Sequence, residues 1–127
     1  MTNQSRQFPT LRLLRWVSLL LAVVVGAFFP NDAFFSAWVA GGPPGEHKLG
    51  WERRSQSSLA LSLACFFAGA FLFRALGRIP KPGRLAWLLA AVAVLLALAP
   101  LVAQEVLIDQ CLDSGGRWNR LAIECER

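Results

Sequence analysis

Few side chains in this 127-residue chain are placed to do chemistry. Cys111 and Cys125 sit in a short polar tail with 13 residues between them, whereas Cys65 lies in an apolar run. Two cysteines in a short tail suit a disulfide in a compartment where bridges persist. Closing that loop is worth about 3 kcal/mol in the chain-entropy model; the competing reading is two free thiols. Cys65 reads as a small apolar packing residue. No metal site is expected, because the one histidine, His47, is distant from both tail cysteines. Glu46-His47 lies in a Pro/Gly-rich stretch without a nucleophile and reads as solvated loop. There is no G-x-S-x-G, H-E-x-x-H, Walker A, Rossmann fingerprint or C-x-x-C. The expectation is therefore a chain that is not an enzyme and carries no cofactor.

The tail offers binding groups instead. Asp113, Arg117 and Arg120 stand beside Trp118, and Trp and Arg are the residue types that most often anchor interfaces. The alternative is that Trp118 packs on the bridge and the tail only stiffens the preceding helix. Gly115 is placed to stop that helix in the left-handed conformation. The residues beyond it have the length of a small strand–turn–strand, with Trp118 and Ile123 over the disulfide.

Elements must hold this tail, and charge segregation shows which. Hydrophobic residues make up 55% of the chain and charged ones 17%, and the charges are crowded between long uncharged stretches. Ser55–Phe73 and Leu85–Gln104 contain none over 19 and 20 residues. Crossing hydrocarbon takes about 20 apolar residues at about 1.5 Å each. So short a chain cannot bury such helices in a soluble core. A first span over residues 11–29 is shorter in its uncharged part, Trp16–Pro30, and needs Arg12 and Arg15 to snorkel. Its basic start and Val25-Gly26-Ala27 also fit a cleaved signal peptide, but Phe28-Phe29 and the preceding apolar length favour a retained anchor. Pro100 is expected to bend the third span near Leu96.

The predicted fold is an all-α membrane protein with three transmembrane helices. Segment 1–10 is cytoplasmic, 11–29, 55–73 and 85–104 are the spans, 74–84 is a cytoplasmic loop, and 30–54 and 105–127 lie outside. Orientation follows from the cations. Arg6, Arg12, Arg15, Arg74, Arg78, Lys81 and Arg84 fall on one side with no acid, and all eight acids fall on the other. That places the N-terminus in the cytoplasm and the C-terminus outside. Trp16 and Trp87 at inner ends, with Trp38 and Trp51 near outer ones, agree. The formal charge of +5 is spread at span ends and forms no nucleic-acid footprint.

Small residues recur at three- or four-residue steps: Ala60, Ala64, Ala68 and Gly69 in the second span, Ala86, Ala90, Ala93 and Ala97 in the third. Such faces allow close helix approach, either between these two spans or against a partner. In the outer loop, Asn31 or Asp32 can cap a short helix that presents Phe34, Phe35, Trp38 and Val39 on one interfacial face and ends at Gly41-Gly42-Pro43-Pro44-Gly45.

The run Cys111-Leu112-Asp113-Ser114-Gly115-Gly116-Arg117-Trp118-Asn119, followed by Cys125-Glu126, resembles the tails of small proteobacterial inner-membrane proteins and lipoproteins. Some of these resemble immunity proteins, which protect a bacterium from a toxin. The resemblance covers Cys111–Arg127 and brings no catalytic residues. It implies a multi-pass protein of the bacterial inner membrane that binds a toxin. The alternative is an accessory or assembly subunit of an envelope complex. Apart from Arg12 and Arg15 at the start of the first, no span contains an acidic, basic or histidine side chain, which argues against a transporter.

Overall fold

The computed structural model describes residues 4–43, 45–78, 81 and 83–127, with side chains from Pro9 onward. The expectations for the start of segment 1–10, for Arg6, for Pro44 and for part of the 74–84 connection lie outside the described residues. Three long helices dominate: α1 (Gln4–Ala40), α2 (Lys48–Leu76) and α3 (Arg84–Asp113). After them comes a two-stranded antiparallel hairpin, β1 (Arg117–Asn119) and β2 (Glu124–Glu126). All three helices are long and apolar enough to cross a membrane. They pack in sequence, each antiparallel to the one before, and α1 and α2 share the larger interface.

The helices outrun the apolar runs that announce them. α1 does not end near Pro30 but continues to Ala40, and α2 begins at Lys48, so the expected 30–54 loop shrinks to the connection between these two residues. Asn31 and Asp32 therefore cap nothing, and the aromatic stretch 34–39 is the last part of α1 rather than a separate interfacial helix. The reason lies in the backbone. Pro30 has no N–H to give the carbonyl of Gly26, four residues back. Ser62 Oγ of α2 donates to that carbonyl at 2.9 Å in a buried position. A helix can run through a proline when a neighbour re-satisfies the freed group. α3 likewise runs through Pro100 without a break.

Small side chains line the α1–α2 interface. Gly26, Ala33, Ser36 and Ala40 of α1 are buried, as are Ser55, Ser58, Ser62 and Gly69 of α2. Both sets advance by about one or two helical turns and so share a face. A Cβ on Gly69 would lie 2.5 Å from that of Ala22, so Gly69 belongs to the α1 interface and not to the face turned towards α3. Ala64, Ala86 and Ala93 are buried, and Ala60, Ala68, Ala90 and Ala97 are half-buried. Large side chains point outward: Leu20, Val24, Leu95 and Leu101 are each about 60% exposed or more.

Ser62→Ala should destabilise the bundle by about 1 kcal/mol, the scale of an interhelical hydrogen bond among membrane helices. Pro30→Ala restores a donor for Gly26, so the Ser62→Ala loss should shrink in the Pro30→Ala background. Unfolding by denaturing detergent measures the cycle; an equal loss in both backgrounds would show that the proline does not create the need for Ser62.

Candidate functional site

The tail is built in three steps from the end of α3. First, the helix stops. Gly115 adopts φ +75°, its N–H reaches the Leu112 carbonyl at 3.0 Å, and the Gly116 N–H reaches that of Cys111 at 2.9 Å. This bond pair is the helix-ending Schellman pattern, and the left-handed residue favours glycine. Gly116 is needed for room, because a Cβ there would meet Cys125 Sγ at 2.5 Å. Second, Cys111 and Cys125 form a disulfide with a Cα–Cα separation of 5.6 Å, tying β2 to the last turn of α3. Third, the turn between the strands is organised by Asn119, whose Oδ1 accepts from the N–H groups of Leu121 (3.0 Å) and Ala122 (3.1 Å). The register sets Trp118 opposite Cys125.

The hairpin folds back on the first turns of α2. Glu124 Oε1 accepts from the Gly50 N–H at 2.9 Å, and Glu124 Oε2 lies 2.9 Å from His47 Nδ1. His47 occupies the N-cap position in left-handed conformation, with no side-chain cap of its own. Glu124 thus supplies in trans the anion that a helix N-terminus favours. Arg53 Nη1 donates to the Ile123 carbonyl at 2.8 Å. Gly50 allows this approach, since a Cβ there would collide with the Ala122 carbonyl. One turn further on, Arg54 donates to both oxygens of Asp32 (3.0 and 3.3 Å), and Ser58 Oγ donates to Asp32 at 2.7 Å. Phe35 meets Trp51 edge-on at 6.2 Å between centroids.

Electrostatics favour the docked tail. The hydrogen bond to Glu124 raises the pKa of His47 above its ordinary value near 6.5. Burial pushes Glu124 up, but the hydrogen bonds from His47 and Gly50 and the nearby positive charges outweigh it and leave the carboxyl below its ordinary range. His47 is 44% exposed, so water screens the pair.

The two clefts beside this dock are open. One of about 340 Å³ is bordered by His47, Trp51, Arg54, Leu121 and Ile123. The other, about 390 Å³, lies between α2 and α3 near Gln56, Ala60, Pro100 and Gln104. Among the described residues no three His, Cys, Asp or Glu side chains come together as a metal site.

Of the residues singled out from the sequence, Asp113, Arg117 and Arg120 are exposed and Trp118 is half-buried. Trp118 borders the small hollow that contains the disulfide, whereas Ile123 lines both clefts against α2. Sequence reasoning missed Glu124, Gly50 and Arg53, and it treated His47 as solvated loop when it pairs with Glu124. A glycine three residues into a helix that a nearby carboxylate could cap was the available signal. Compared with known protein families, curated proteins and solved structures, the chain matches none.

Tail docking should depend on pH in a fixed sense. His47 contributes fully below its ordinary value near 6.5 and loses its contribution as pH rises through the raised value. Glu124 contributes fully above its ordinary value near 4.5 and loses its contribution as pH falls through the lowered one. Protection of the Gly50 amide relative to its intrinsic exchange at each pH should therefore be greatest in mildly acidic solution, and His47→Gln should flatten the alkaline arm. Gly50→Ala should undock the tail at every pH, read as faster reduction of Cys111–Cys125; an unchanged reduction rate would show that the contact is not needed.

Proposed function

We propose that this chain is a multi-pass membrane protein that acts by binding another protein on the outer side of the membrane, with the disulfide-closed tail as its docking surface. One observation carries the reading. The tail is pinned on its inner side by the bridge to α3 and by Glu124 and Ile123 to α2, while Leu121 is 97% exposed at the tip of the turn. Arg120 precedes it in the turn, and Asp113, Arg117 and Arg120 are exposed, with no side-chain partner among the described residues. A surface ordered before its partner arrives avoids the ordering cost of association.

The membrane setting is supported by the reversal of side-chain sizes, small inside and large outside, which suits helices solvated by lipid. Seven cations and no acid at one end, and every acid at the other, favour a cytoplasmic N-terminus and an outward tail. The resemblance of Cys111–Arg127 to tails of proteobacterial inner-membrane proteins makes the bacterial inner membrane the setting to test and a toxin the first class of partner. A second reading, an accessory subunit of an envelope complex, is favoured by Phe28, Phe34 and Trp38 of α1, each at least 75% exposed, which a neighbouring helix could cover.

An alkaline-phosphatase fusion after Arg127 should be active and one at Gly83 inactive; the reverse pattern overturns the orientation. Affinity capture in mild detergent should retain a partner that Arg120→Ala and Leu121→Ser each weaken by about tenfold or more, as expected of anchor residues. If both variants keep every partner of the unaltered chain, the tail is not the docking surface. A captured toxin supports the immunity reading, and co-purifying envelope subunits support the second.

A further inference from the structure

At the end of the bundle opposite the tail, α1 and α2 enclose a hollow of about 300 Å³ bordered by Arg15, Phe73, Arg74, Gly77 and Arg78. Three arginines border one small space, and among the described residues no carboxylate does. Arg15 is held in place. Its guanidinium lies over the Phe73 ring, 3.6 Å from the centroid, and Trp16 meets the same ring edge-on at 5.3 Å. Its Nε–H is buried and has no acceptor among the described residues. Gly77 leaves the space that Arg15 occupies, since a Cβ there would come within 3.0 Å of the guanidinium.

We propose that this hollow binds the phosphate of an anionic phospholipid headgroup, an inference that rests on the membrane reading above. Guanidinium groups match phosphate oxygens in charge and in forked geometry. An anion here relieves the mutual repulsion of three cations. The lipid is favoured over a soluble anion by depth. Trp16 and Trp87 are 54% and 64% exposed at this end, where amphipathic rings mark the headgroup level. Apolar helix surface continues directly from the hollow, along which acyl chains can lie.

The test is native mass spectrometry of the full chain in mild detergent, offered phosphatidylglycerol and phosphatidylcholine together. The unaltered chain should retain phosphatidylglycerol preferentially. Arg15→Gln should lower that preference about fivefold, the scale of one basic group at a lipid surface. Gly77→Val keeps the net charge but displaces Arg15, so it should lower the preference similarly. Arg12→Gln removes a cation from the same helix outside the hollow and should leave it unchanged. If Arg12→Gln matches Arg15→Gln, or Gly77→Val has no effect, the attraction is diffuse and the site is overturned. If excess inorganic phosphate abolishes the preference, the ligand is a soluble anion and the lipid assignment is overturned. Carbonate extraction separates the premises: a membrane-embedded chain without lipid preference loses only this site, and a chain released by carbonate loses the membrane reading as well.

Discussion

One carbonyl oxygen decides the shape of this molecule. Pro30 deprives Gly26 of its helical donor, and Ser62 replaces it from the neighbouring helix. Because that debt is met, α1 continues for ten residues past the proline. The extension brings Asp32 alongside Arg54 and Ser58, which fixes the first turns of α2 against α1. Those turns then present Gly50 and Arg53 to the tail. The small-residue seam serves the same end, because Ser62 can reach Gly26 only where the two backbones run close together.

Order in the tail comes from redundancy of a different kind. A covalent bridge holds it to α3, and polar contacts hold it to α2, so its turn has a defined place although it buries little apolar surface. The glycines divide the labour: Gly115 turns the chain, Gly116 makes room for the sulfurs, and Gly50 lets another segment rest on a helix start. Glu124 is the centre of this arrangement, with both its oxygens engaged.

The apolar runs announced three helices and the cysteine spacing announced the bridge, because hydrophobic length and thiol pairing are local properties of a sequence. Helix ends were less legible. Charged and polar residues such as Asp32, Arg53 and Arg54 read as loop, since a charge marks where hydrocarbon must end and says nothing about where the helix does. Each of these charges is tolerated within a helix because a partner from elsewhere in the chain meets it. Gly69 showed the same limit: small residues at regular steps revealed a close-packing face, but not which neighbour would occupy it. The binding role proposed for Asp113, Arg117 and Arg120 rests on residue type, read from the sequence, and on exposure, read from the structure, whereas Trp118 is half-buried.

The dock between hairpin and α2 makes a mechanical circuit. The connection after Leu76 joins α2 and α3 at one end, and the tail clasps the start of α2 to the finish of α3 at the other. Those two helices therefore form a hoop, with α1 packed against its α2 side. Load applied to the Leu121 tip passes through Glu124 and Arg53 into α2, and from the adjacent Arg54, through Asp32, into α1. A pull on the exposed Leu121 tip is thus shared among all three helices rather than unravelling the last.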